Sequence, residues 1–160
     1  VNYMKAVRTI ANAAGPCGMI TGQVADMANV DLSGERESLD FINRYKTGAM
    51  VKASIIAGPI AQGAKKESIS ELTEYSEKVG LAFQIVDDIL DVIGDQKKLG
   101  KRIHSDAKNK KKTYVDIYGV AGSKKIVETL VQGALVHLEN AQVNNQNIVE
   151  LTKFICKRDR

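Results

Sequence analysis

Phe83-Gln84-Ile85-Val86-Asp87-Asp88-Ile89-Leu90-Asp91 sets four polar side chains into an otherwise apolar run. On an α-helix, Gln84, Asp87, Asp88 and Asp91 stand three or four residues apart and share one face. The intervening Phe83, Ile85, Val86, Ile89 and Leu90, with Val92 beyond, are all apolar. The expectation is therefore an acidic face set into a buried helix. Like charges at this spacing repel by about 0.2–0.5 kcal/mol on an exposed helix, and by more where water is excluded. Such a face calls for counter-charge. Hard carboxylate oxygens at this spacing suit Mg²⁺, which keeps several waters and bridges carboxylate to phosphate. An exposed acidic face paired with surplus lysines satisfies the same letters. An EF-hand is excluded, because its glycine and ligand spacing are missing.

Outward from this stretch the pattern stays helical. Val1 to Ala14 and Met19 to Val30 read as two helices, punctuated by Gly15-Pro16. Asp31 to Gly34 reads as a turn. Glu35 to Ala61 carries apolar residues at three- and four-residue spacings, with Gly58-Pro59 expected to kink or end the helix. Ser68 or Ser70 is placed to cap the next helix, which runs to about Ile93. Asp95 to Lys112 reads as a long charged loop. A short helix over Tyr114 to Tyr118 and two closing helices, Ser123 to Ala141 and Ile148 to Lys157, complete an all-α fold. No strand alternation or internal repeat interrupts it.

The composition agrees with a helical domain and narrows its class. The chain has 160 residues, 44% of them hydrophobic and 5% aromatic, with 2 prolines and no Trp. That length is about one domain, and the balance favours packed helices over short strands. Cys17 and Cys156 read as reduced cytosolic thiols, consistent with a cytoplasmic protein rather than a disulfide framework or zinc site. The longest charge-free run, Thr9 to Ala25, is broken by Asn12, Gly15, Pro16, Gly18, Gly22 and Gln23. It does not suit a membrane span. The net charge is +4. Eight basic residues crowd between Lys97 and Lys112 against the single acid Asp106, and Lys153, Lys157, Arg158 and Arg160 close the chain. Such runs suit a polyanion or a phosphorylated small molecule, or simply a solvated loop. Nucleic acid is disfavoured, since no aromatic residues interleave and no binding motif accompanies the run.

Two further constellations carry chemistry. Gln23 and Asp26 share a helix face within a stretch of small residues, as a site or as a plain helix-to-helix hydrogen bond. Lys46 and Thr47 offer an ammonium and a hydroxyl in the middle of a helix read as buried. A buried lysine needs a partner, and a phosphate or a carboxylate would serve. Gly58 to Lys65 imitates a phosphate-binding loop, but no Gly-Lys-Ser/Thr follows and no strand precedes it. Met19 and Met27 are read as pocket lining or as core, and His104 and His137 receive no role.

Gly22-Gln23-x-x-Asp26, Lys46-Thr47-Gly48 and Gly80 through Asp91 stand in order with Gly94-Asp95, Leu99-Gly100-Lys101, Ser105-Asp106 and Lys111-Lys112-Thr113-Tyr114. Together they resemble the C-terminal half of the trans-isoprenyl diphosphate synthases, the family of farnesyl and geranylgeranyl diphosphate synthases, and most of all its bacterial farnesyl members. The resemblance covers essentially residues 1–160. It implies a terpenoid-synthase helical bundle, a homo-oligomer, and Mg²⁺-assisted condensation of isopentenyl diphosphate with an allylic diphosphate. It assigns Asp87, Asp88 and Asp91 to Mg²⁺, with Asp87 foremost. Lys46, Lys101 and Lys111 would hold the allylic diphosphate, Thr47 and Gln84 would stabilise the allylic cation, and Gln23 and Asp26 would join the substrate site. The basic C-terminus, Lys157 to Arg160, resembles a tail that closes over isopentenyl diphosphate. Val115 stands where the family has proline. The family's first aspartate-rich motif has no counterpart in these residues. The expectation is thus half of a catalytic bundle, inactive alone; the alternative is a non-catalytic helical subunit derived from that fold.

Overall fold

The computed structural model describes residues 1–32, 34–93 and 112–157, with side chains through residue 155. Every regular element among them is helical. Helices α1 (Asn2–Ala14), α2 (Met19–Ala28) and α3 (Glu35–Asn43) lead into a π-helical turn, Arg44–Gly48. Then come α4 (Ala49–Ala61), the long α5 (Lys66–Ile93), α6 (Tyr114–Asn140) and α7 (Gln146–Lys157).

The centre is the antiparallel-style pairing of the two longest helices, α5 and α6, which share the most extensive interhelical contact. Ala82, Ile85, Val86, Ile89 and Leu90 of α5 bury against Tyr114, Val127 and Val131 of α6. Further along, Leu72, Tyr75 and Val79 meet Ala134 and Leu138, with Ile56 of α4 closing the layer. The three- and four-residue spacing of these positions is what lets one helix face stay dry over its whole length. At the α7 side, the Tyr75 hydroxyl bonds Thr152 Oγ1 at 2.7 Å, and Thr152 in turn donates to the Ile148 carbonyl.

Several boundaries differ from the sequence reading. Helix α5 starts at Lys66, because the Lys65 carbonyl already accepts the Ile69 N–H at 3.0 Å. Ser68 and Ser70 therefore lie inside the helix and do not cap it. Pro59 sits in the last turn of α4 without ending it; the helix continues to Ala61 and stops before Gly63, whose φ of +75° suits glycine. The division between the segments read as Tyr114–Tyr118 and Ser123–Ala141 is present within α6 as a kink at Gly119, whose φ of +67° is not helical, and the second segment begins earlier than read, directly after that kink. The stretch read as a continuous helix from Glu35 to Ala61 contains the π turn. The loop expected over Asp95 to Lys112 lies outside the described residues except for Lys112, as do Lys101, Lys111 and the Arg158 to Arg160 tail.

Candidate functional site

The acidic face of α5 is not buried as its letters predict. Ile85, Val86, Ile89 and Leu90 are buried, but Asp87 is exposed and Gln84, Asp88 and Asp91 are half-buried. Phe83 and Val92 stand exposed beside them. The correction has a simple cause: α6 packs on the apolar side of α5 here, and the acids border the other.

That other side forms a wall of a cleft of about 430 Å³. Asp26 from α2, Lys46 from the π turn, and Gln84, Asp87 and Asp88 from α5 all line it. Three segments far apart in sequence are thus brought to one place. Gln23, exposed on α2, Thr47, half-buried in the π turn, and Asp91 are not part of this lining.

Lys46 finds the carboxylate that its position demands. Its Nζ donates to Asp26 Oδ2 at 2.7 Å, and Asp26 is only 7% exposed. The plain helix-to-helix bond is therefore realised by Asp26, which reaches from α2 to the π turn. Gly22 makes that reach possible: a Cβ there would come within 2.0 Å of the Lys46 backbone nitrogen. Only glycine allows α2 to lie so close. The π turn itself widens the helix at Lys46, and such local bulges recur where side chains are presented to a site.

The cleft also recruits residues to which the sequence reading gave no role of their own. Lys112 and Thr113 form part of the lining, with Asp31, Glu35 and Asn43. Lys112 Nζ is ion-paired with Glu35 across the cleft. The Asn43 side-chain nitrogen is buried without a hydrogen-bond partner. Lys112 had a signal, as the last of the basic run; Glu35 and Asn43 had none, since nothing in a helical pattern says which polar residue faces a neighbour.

Tyr114, 3% exposed, closes the α6 side. Its backbone N–H donates to Asp88 Oδ2 at 3.1 Å, and its hydroxyl donates to Asp40. Burial, then that bond to Asp40, push its ionisation well above the ordinary tyrosine range. Thr113 caps α6 reciprocally with Asp116: the Thr113 N–H donates to the Asp116 carboxylate at 2.8 Å, and the Asp116 N–H to Thr113 Oγ1 at 3.3 Å.

The described lining carries five carboxylates, Asp26, Asp31, Glu35, Asp87 and Asp88, against two lysines that are each paired with one of them. Among the described residues no three His, Cys, Asp or Glu side chains group closely enough to cage a metal. One or two carboxylates plus phosphate oxygens and water are what Mg²⁺ ordinarily uses. The donor set therefore fits Mg²⁺ held jointly with a phosphorylated ligand.

A family model described as polyprenyl synthetase matches residues 1–151. Farnesyl diphosphate synthase of Geobacillus stearothermophilus is 38% identical over 156 residues, spanning 98% of this chain and 52% of that protein. Geranylgeranyl diphosphate synthase of Cyanophora paradoxa is 34% identical over 160 residues, with 98% and 52% covered. Among solved structures, a geranyltransferase from Helicobacter pylori complexed with magnesium and isoprenyl diphosphate superposes with a TM-score of 0.74 at 29% identity, over 96% of this chain and 50% of that one. The geranyltransferase of Legionella pneumophila gives 0.76 at 26% identity, over 96% and 49%. The chain spans about half the length of the curated relatives it matches.

Proposed function

Because the chain belongs to the polyprenyl synthetase family, we propose that its cleft is the allylic-diphosphate side of a prenyltransferase site. The reaction is condensation of isopentenyl diphosphate with dimethylallyl or geranyl diphosphate to give farnesyl diphosphate. The observation that carries this reading is the meeting of Lys46, Gln84 and Asp87 in one cleft.

Asp87, exposed at the cleft, is the foremost carboxylate for Mg²⁺, with Asp88 and Asp91 on the same helix face. The ion, when bound, neutralises charge on the departing diphosphate. Lys46 places an ammonium beside that diphosphate, held at a fixed point by Asp26 and ready before substrate arrives. Such a preset charge acts mainly as the leaving group gains its negative charge, which is where electrostatic stabilisation accelerates a reaction. Gln84 presents its amide one turn before Asp87 and, with Thr47, stabilises the allylic cation. Gln23 contributes from the neighbouring face of α2. Lys101 and Lys111 belong to the same proposal as diphosphate ligands, although they lie outside the described residues. The retained acids and lysines favour catalysis over a purely structural subunit.

No helix of the described residues is long and apolar enough to cross a membrane. We place the protein in the cytoplasm and as a homo-oligomer; the exposed apolar residues of α1 and α2 support the second of these readings. Turnover is assigned to the site completed by the part of the fold that the relatives have and this chain does not span.

Calorimetric titration of the 160-residue chain with geranyl thiolodiphosphate tests the reading. Binding should require Mg²⁺, and Asp87→Asn should weaken it by about tenfold or more, as expected for loss of a charged contact. Binding of equal strength with and without Mg²⁺ would overturn it.

A further inference from the structure

The motif Asp87-Asp88 presents two adjacent carboxylates as equals, but the fold separates them. Asp87 is exposed at the cleft. Asp88, one position on, accepts the Tyr114 backbone N–H at 3.1 Å. Tyr114 is the first residue of α6, and the first N–H groups of a helix have no partner within it. The Asp88 carboxylate supplies that partner from a different helix. It also lies at the end where the α6 dipole favours negative charge. The same Tyr114 is held a second time, by its hydroxyl on Asp40 of α3, and its ring is buried against the α5 core.

We infer that Asp88 is a positioning residue: it anchors the start of α6 through Tyr114, and so fixes Lys112 and Thr113 in the cleft wall opposite α2 and α3. Thr113 immediately precedes Tyr114, and Lys112 reaches Glu35 of α3 from there. Three attachments, Asp88 to the Tyr114 amide, Asp40 to the Tyr114 hydroxyl and Glu35 to Lys112, thus tie the start of α6 to α3 and to the C-terminal part of α5. The two neighbouring aspartates divide their work, one toward the ligand and one toward the scaffold. This division deepens the proposed function and rests on it for the metal-dependent part alone.

Hydrogen exchange at the Tyr114 amide, followed by NMR, reads the anchor directly, and Mg²⁺-dependent titration with geranyl thiolodiphosphate reads the cleft. Asp88→Ala should speed exchange at that amide by about tenfold or more, the effect of removing a charged acceptor. Asp88→Asn keeps an acceptor oxygen. It should hold exchange at the Tyr114 amide closer to the parent than to Asp88→Ala, since a neutral acceptor keeps part of a hydrogen bond's protection. Asp87→Asn should do the reverse, leaving the amide protected while the Mg²⁺ dependence is lost. An Asp88→Asn chain whose Tyr114 amide exchanges as fast as in Asp88→Ala overturns the assignment. So does unchanged Tyr114 exchange in Asp88→Ala. If Asp88→Ala does not fold, Asp88→Asn decides. If the parent chain shows no Mg²⁺-dependent binding, the proposed function fails while the exchange data still judge the anchor.

Discussion

Between α5 and α6, Ile85, Val86 and Ile89 meet Val127 and Val131 and are buried together, none more than 5% exposed. On α1 and α2, Tyr3, Met4, Val7, Ile20, Val24 and Met27 follow comparable helical spacings and stand exposed, Tyr3 at 70% and Met27 at 73%. The small residues of these helices do the packing instead: Ala6 and Ala25 are buried, and Gly22 lies against the π turn. The difference teaches that an apolar stripe states a need for cover without saying what provides it. In α5 the cover is another part of this chain. In α1 and α2 the large apolar residues, including Met19 and Met27, belong to no core among the described residues, whether or not they line a pocket elsewhere.

The sharpest way to break this comparison is Ile85→Ala. Ile85 has no exposed surface, so the truncation should cost about 2–5 kcal/mol through lost burial and the cavity left behind. Urea unfolding followed by circular dichroism measures it, and a loss below about 1 kcal/mol would place Ile85 outside a tight core. Gly22→Ala comes next, because it attacks the place where α2 is pressed against the backbone of the π turn. We expect a loss of about 1–3 kcal/mol from overpacking, with weaker Mg²⁺-dependent ligand binding as Lys46 is displaced from Asp26.

A smaller effect tests the end of the α5–α6 pair away from the cleft. There His137 Nδ1 lies 2.8 Å from Glu71 Oε2, and the Asn140 side chain donates to the same oxygen at 3.2 Å. The His137 bond, then that from Asn140, lower the Glu71 ionisation below its usual 4.5. A carboxylate depressed in the folded state stabilises the fold above its unfolded value, and that contribution is lost as pH falls through the folded one. Glu71→Gln should therefore melt lower than the parent near neutral pH, and the gap should shrink as the pH falls below about 4.5. A gap independent of pH would remove the ionic component. Last, Val7→Ser on the exposed face of α1 should change stability by no more than about 0.5 kcal/mol. A larger loss in the isolated chain would mean that this face is already covered, and the contrast with α5 would collapse.

Much of the architecture was legible because helices are local objects. The stretch Phe83 to Asp91 announced its helix, and the break at Gly15-Pro16 and the division between Tyr114–Tyr118 and Ser123–Ala141 follow from backbone chemistry within a few residues. Ser68 and Ser70 misled for the same reason: they have capping chemistry, but the Lys65 carbonyl starts the ladder before them. The site was legible in its members more than in their pairing. Asp26, Lys46, Gln84, Asp87 and Asp88 were all named from sequence and all reach the cleft. That Asp26 holds Lys46 was one of two open partners, and Glu35, Asn43 and the Tyr114 anchor carried no pattern.

By itself, the order of residues determined that this protein is all-α, where its long helices run, and which polar groups are out of place on apolar faces. Those properties depend on hydrogen bonds and side-chain spacings that close within one or two turns. The tertiary structure alone decided that the acidic face of α5 opens to a cleft instead of lying buried. It also decided that Gly22 admits Asp26 to Lys46, and that Asp87 and Asp88 face different partners. Each of those outcomes depends on which helix packs where, and helical periodicity, which repeats every 3.6 residues, holds no record of a neighbour twenty or more residues away.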